Sequence, residues 1–439
     1  MGTTTLASLE QELSENIGDR LSVPTSTNIT TDNSVICSTL NQYDGGQDDY
    51  FNGWWCFIDG TNNANVLREI SDYATATGTL TVRGAALSAE TGSVTITLHR
   101  YDRAKKIIAI QRAIDYVFPA IFVPVDDFSL STGNILPDGS FEWWPTSSTL
   151  TFYTAKSNVS IAKNTTAGQY RGVRGSTSAT VTATGASGYM SIHSDEYPRL
   201  LDLMGKNASI YVWASPQTAD DAVMTLYTKT AAGTAQTLST TTASPAGEFT
   251  RLKLENQSVS DDLVEVEVRF TVTTSGQYCY FDDAIVVAGN LKEYVVPFGL
   301  QPNGHISQAM VQADGYSDQP SYDIRPKSYE SYQFRVVNDG TYDHIRLKDT
   351  PTNNRTIRLR GYKPLNEVSA ETDTIEIDGP KLDPIVFKAA ELLYRLVQGP
   401  VSSEDKSRYY GEIGFWRDEY NRSIAQHTMM RPADTLYTG

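Results

Sequence analysis

Apolar residues between positions 5 and 21 recur every three or four places, as Leu6, Leu9, Leu13, Ile17 and Leu21. That spacing is one face of an amphipathic helix, with Thr4 or Thr5 placed to cap it and Pro24 to end it. From about 26 to 100 the period shortens to two. Runs such as Trp54-Trp55-Cys56-Phe57-Ile58, Thr79-Leu80-Thr81-Val82 and Val94-Thr95-Ile96-Thr97-Leu98 are broken by Asp59-Gly60, Thr77-Gly78 and Thr91-Gly92. Strands and tight turns of this kind predict a small β module. A second helix is expected over about 102–118, striped by Ile107, Ile110, Ile114 and Val117, capped by Asp102 and stopped by Pro119.

Residues 134–289 are rich in Thr, Ser, Gly and Ala, with short alternating segments. Ser209-Ile210-Tyr211-Val212-Trp213 and Val264-Glu265-Val266-Glu267-Val268-Arg269-Phe270 show the two-residue period most clearly. Such a series of strands and turns predicts an antiparallel sandwich. Further strands follow over about 293–378, including Tyr332 to Val337 and Thr356 to Arg360. Helices return at Asp383-Pro384, an acceptor followed by proline, with Val386, Ala390, Leu393 and Leu396 on one stripe. A last helix carries Tyr409, Ile413, Trp416, Tyr420 and Ile424.

Four striped helices at the two chain ends each need a partner, because a lone amphipathic helix is unstable in water. Packing them together is the simplest solution and makes the sandwich an excursion. The expected fold class is therefore α+β multidomain: a small helical bundle from both chain ends, β modules, and an inserted antiparallel β-sandwich of jelly-roll type. Its expected domains are 1–133 (first helix, β module and second helix), 134–289 (the sandwich) and 290–439 (β region, two helices and an extended tail completing the core).

Composition narrows the possibilities. The 439 residues carry a net charge of −16, which argues against wrapping nucleic acid, since that affinity comes from Lys and Arg on phosphates. A surface along which DNA passes without sticking is compatible with it. Cys37, Cys56 and Cys279 are too few and too scattered for a disulfide frame or zinc site. No apolar run approaches a membrane span and no signal core opens the chain, so a soluble protein assembled in a cytoplasm is expected, with no membrane partner.

Three stretches resemble proteins of tailed bacteriophages. Tyr50 to Gly60, followed by Arg68 to Tyr73 and Gly78 to Val82, resembles a β module of phage neck and tail proteins. Arg358-Leu359-Arg360-Gly361-Tyr362-Lys363-Pro364-Leu365, then Asp373 to Ile377 and the helix after it, is similar to the end of head–tail adaptors. Asn134 to Glu142, closing at Gly276 to Asp283, looks like the opening and closing strands of carbohydrate-binding modules of families 4 and 9. The resemblance implies a virion protein of the neck or tail region. As an adaptor it would form a homo-oligomeric ring, bind the portal protein and the next tail or neck component, and let DNA pass. As an alternative it would decorate the neck or tail and bind a receptor glycan.

The candidate residues follow from these readings. Trp143, Trp144 and Trp213 could stack on a sugar ring, with Tyr153, Tyr189 and Tyr227 elsewhere in the sandwich. Core packing is the competing reading, and the burial habits of tryptophan favour it. Glu142 and Asp283 match positions where the carbohydrate-binding family holds a structural calcium ion, which takes hard oxygen ligands. Met429, Met430, Leu436 and Tyr437 of the tail 427–439 have the composition of a partner-gripping segment. Asp339, Asp343 and His344 could hold a metal, but Asp339-Gly340 fits a hairpin turn better. The paired acids and five histidines show no catalytic spacing, so no enzyme activity is expected.

Overall fold

The computed structural model describes residues 2–172, 174–240, 244–301, 304–313, 329–398 and 403–430. They divide into two compact units, one reaching Val123 and resuming over Pro364–Met430, the other spanning Pro124–Lys363.

The first unit contains helices α1 (Leu6–Asn16), α2 (Arg103–Val117), α3 (Asp383–Val397) and α4 (Ser403–His427). The stripes meet in one apolar cluster: Leu9 and Leu13 of α1, Ile114 of α2, Leu393 of α3, and Ile413 and Trp416 of α4. Each such side chain contributes roughly 1.5–3 kcal/mol when fully buried. Thr5 caps α1, its Oγ1 accepting from the Ser8 amide at 3.1 Å, and Asp102 caps α2, accepting from Ala104 at 2.9 Å. Two ends differ from expectation. α1 stops at Asn16 because Gly18 turns left-handed at φ +65°, and Arg20–Pro24 leaves as a strand, so Leu21 packs on the β module instead of the bundle. Asp383 is the first helical residue of α3 and not its cap, which is Leu382. The β module is a six-stranded sheet in the order Arg20–Pro24, Thr95–His99, Trp55–Ile58, Val66–Ala74, Thr79–Val82, Ser34–Ile36.

The second unit is built on two five-stranded antiparallel sheets. One runs Val159–Asn164, Ser178–Ala183, Tyr278–Val287, Asn207–Pro216, Thr250–Ser258; the other runs Ala235–Ser239, Ala222–Thr230, Leu263–Val272, Gly188–His193, Thr154–Ser157. Their inward residues form a core around Phe270, whose ring lies 5.4 Å from Phe141, 5.8 Å from Tyr153 and 5.6 Å from Phe281. The unit is wider than the expected 134–289. Tyr294, Ile306, Phe334, Ile345 and Leu359 belong to the same apolar cluster as the sandwich, so the strands of 293–363 group with it and not with the helices. Asp339-Gly340 is the turn between Phe334–Asn338 and Asp343–Leu347, Gly340 taking φ +97°.

Because this core is continuous, residues 124–363 expressed alone should unfold in one cooperative thermal transition. A fragment that melts without a transition and binds a hydrophobic dye would contradict the division.

Candidate functional site

Strand Leu263–Val272 occupies the centre of its sheet. Val266, Val268, Phe270 and Val272 fill the core, so alternation turns Glu265, Glu267, Arg269 and Thr271 outward. The neighbouring strands likewise present Tyr189, Ser191 and His193 on one side, and Val223, Thr225, Tyr227 and Lys229 on the other. Register then builds rows across the three strands. Arg269 stands between Ser191 and Thr225, and Glu267 between His193 and Tyr227.

These rows form the outer face of the sheet, which we call the groove where its small residues lie beneath larger ones. Ser191, Glu267 and Thr225 face outward yet are only 0%, 4% and 7% exposed, so they are its floor. The Arg269 guanidinium lies 5.0 Å from the Tyr189 ring centre and 4.3 Å from that of Tyr227. Its Nε and Nη2 both donate to Glu267 Oε2 at 2.6 Å, which fixes the plane of the guanidinium between the two rings. Toward one end, Glu265 meets His193 at 3.3 Å and Lys229 at 3.8 Å. Ser191 and its cross-strand neighbour Thr154 each hold a buried hydroxyl oxygen with no hydrogen-bond partner among the described residues. Aromatic faces, a planar donor, carboxylates and hydroxyls in one groove suit a ligand with apolar ring faces and many hydroxyl groups.

The expected platform residues are placed differently. Trp143 and Trp144 are both buried, Trp143 beside Phe152 at 5.6 Å and Trp144 donating its Nε1–H to the Phe141 carbonyl at 2.6 Å. Neither offers a ring face to a sugar. Phe141 takes φ +51°, which breaks the strand alternation that would have turned one tryptophan outward. Trp213 is half-buried on the outer face of the other sheet, beside Tyr211 on the same strand, with the Arg171 guanidinium 3.6 Å over its ring. One face of its ring is thus stacked, as a face of Tyr189 and of Tyr227 is by Arg269. Tyr189 and Tyr227 do reach the groove, whereas Arg269 and Glu267 were not among the candidates.

Glu142 and Asp283 lie in a buried acidic cluster, and one oxygen of each accepts from the protein itself. Glu142 Oε1 accepts from the Ser176 amide at 2.9 Å, the Thr177 amide at 2.7 Å and the Thr177 hydroxyl at 2.9 Å. A Cβ at Gly175 would lie 2.0 Å from Glu142 Oε1, so the carboxylate would have to move to admit one. Asp283 Oδ1 instead accepts from Arg174 Nη1 at 3.2 Å. Among the described residues, no three His, Cys, Asp or Glu side chains are arranged to hold a metal ion. Burial pushes the Asp138 and Glu142 carboxyls up to about 7, against the amides that each accepts, and pushes Asp282 well above its usual range beside Asp283.

In the tail, Met429 packs on the helical core and its amide donates to the Ala120 carbonyl at 2.9 Å, while Met430 is exposed. Met429 is thus held within its own unit. Leu436 and Tyr437 lie outside the described residues. His344 Nδ1 approaches Asp339 Oδ2 at 3.6 Å within the hairpin. No helix of the described residues is long and apolar enough to cross a membrane.

No family model matches the chain, and no curated protein matches it. Among solved structures it is similar to the family 22 carbohydrate-binding module of Clostridium thermocellum Xyn10B, at 16% identity over 37% of this chain and 94% of that one, TM-score 0.27. It is also similar to TmCBM61 in complex with β-1,4-galactotriose, at 13% identity over 36% of this chain and 99% of that one, TM-score 0.25. A third likeness is to the enzymatically active domain of tailspike protein 4 of bacteriophage CBA120, at 15% identity over 36% of this chain and 22% of that one, TM-score 0.26.

Proposed function

We propose that this chain is a glycan-binding structural protein of a phage particle, carried at the neck or tail, whose sandwich groove takes a sugar chain. The observation that carries this reading is the groove itself: Arg269 held by Glu267 between the rings of Tyr189 and Tyr227, over the Ser191 and Thr154 hydroxyls. Sugar rings would stack their C–H faces on the tyrosines, and their hydroxyls would bond to the guanidinium and carboxylates. Binding rather than bond cleavage is proposed, because Glu267 is committed to Arg269 and Glu265 to His193 and Lys229.

A panel of immobilised bacterial surface polysaccharides should retain the chain on at least one member. Tyr189→Ala and Tyr227→Ala should each weaken that retention about tenfold, a loss of ~1.4 kcal/mol, with the melting temperature unchanged. Passage through every column unretarded would refute the proposal.

A second reading, a ring-forming adaptor that contacts the portal, is favoured by one observation. Tyr410 and Phe415 of α4 stay 63% and 53% exposed on a helix whose other side is packed in the bundle. Locating the chain in electron micrographs of the particle separates the readings: a closed ring at the portal vertex supports the adaptor, and peripheral copies support decoration.

A further inference from the structure

Four residues of one short stretch donate hydrogen bonds to three buried acids of the sandwich. The Arg171 amide donates to Asp282 Oδ2 at 2.6 Å, Arg174 Nη1 to Asp283 Oδ1 at 3.2 Å, and Ser176 and Thr177 to Glu142 Oε1. Only Arg174 brings a full positive charge to this contact set through its side chain, and both it and Asp283 are nearly withdrawn from water. Asp282 Oδ1 is further occupied by the Asp283 amide at 2.7 Å. Both oxygens of Asp282 and one oxygen each of Glu142 and Asp283 are thus taken by donors of the protein itself.

We infer that the Arg174 guanidinium is the resident cation of this cluster, standing where the family resemblance places a calcium ion, and that the sandwich is complete without a metal. The inference is independent of the glycan reading, because the groove residues lie on other strands. Three physical consequences follow. A buried acid left without its partner is strongly destabilising, so loss of Arg174 should expose the requirement for a cation. A lysine at the same position keeps the charge and should retain most of the stability. Removing the facing charge as well should relieve the defect.

The test uses the full-length protein and its thermal melting. The wild-type melting temperature should be the same in excess EGTA and in millimolar calcium. Arg174→Ala should lower the transition of the second unit by roughly 10 °C. Arg174→Ala with Asp283→Asn should recover part of that fall, and Arg174→Lys should fall least. If Arg174→Ala does not fold, the double variant and Arg174→Lys still carry the comparison. A wild-type transition that rises by several degrees in calcium overturns the inference. So does an Arg174→Ala protein that melts with the wild type, or a double variant no better than the single one.

Discussion

Replacing Lys106 with methionine should destabilise the helical unit by about 3–5 kcal/mol, the cost of removing one partner of a buried ion pair. Lys106 projects from α2 and is fully buried. Its Nζ donates to Asp19 Oδ2 at 2.8 Å and Ser14 Oγ at 3.0 Å, and lies 2.7 Å from His99 Nδ1. Burial and the nearby ammonium hold His99 down to about 3, so its imidazole is neutral and Nδ1 accepts. Burial also raises the Asp19 carboxyl and lowers the Lys106 ammonium, each opposed by the other. Asp19 further accepts the Tyr101 amide at 3.0 Å, which ties the start of the first strand to the approach to α2. Without Lys106 the Asp19 carboxylate stays buried beside His99, whose Nδ1 lies 3.9 Å from Oδ2. Urea unfolding at neutral pH measures the effect, and adding Asp19→Asn should return at least 1 kcal/mol of it. A single-variant loss below about 1 kcal/mol would mean that solvent already reaches the cluster.

Trp143→Ala should cost the sandwich about 3–5 kcal/mol while leaving the glycan groove intact. The indole is 3% exposed and packs on Phe152, and the Trp143 amide donates to Asp138 Oδ2 at 3.0 Å. Its removal opens a cavity beside the Asp138 turn, and the melting temperature should fall by roughly 10 °C. Well below that transition, polysaccharide retention should match the wild type. Near-normal stability with retention lost would return Trp143 to the platform role that its sequence position suggested.

The apolar stripes made the helical unit legible, because Leu9, Ile114, Leu393 and Trp416 mark faces that only one another can cover. The end of α1 was less so. Gly18 turns the chain after Asn16, and Asp19 beyond it meets Lys106, nearly ninety positions away in sequence. In the sandwich, the alternation from Val264 to Phe270 already placed Glu265, Glu267 and Arg269 on one face. Strand register was not readable, and register sets Arg269 between Ser191 and Thr225, from where its guanidinium reaches diagonally to Tyr189 and Tyr227. Trp143 and Trp144 are buried, as the burial habits of tryptophan favoured over the sugar platform. Glu142 and Asp283 lie in one acidic cluster, but Arg174, the cation that meets Asp283, carries no motif that marks it as such.

Hydroxyl-radical footprinting of the aromatic side chains, with and without a retained polysaccharide, tests the central claim most directly. Tyr189 and Tyr227 should be protected by the sugar, while Tyr211, Trp213, Tyr278 and Tyr280 on the opposite sheet react as before. Protection of Trp213 and Tyr211 with Tyr189 and Tyr227 unchanged would place the ligand on the other face and contradict the groove assigned to it.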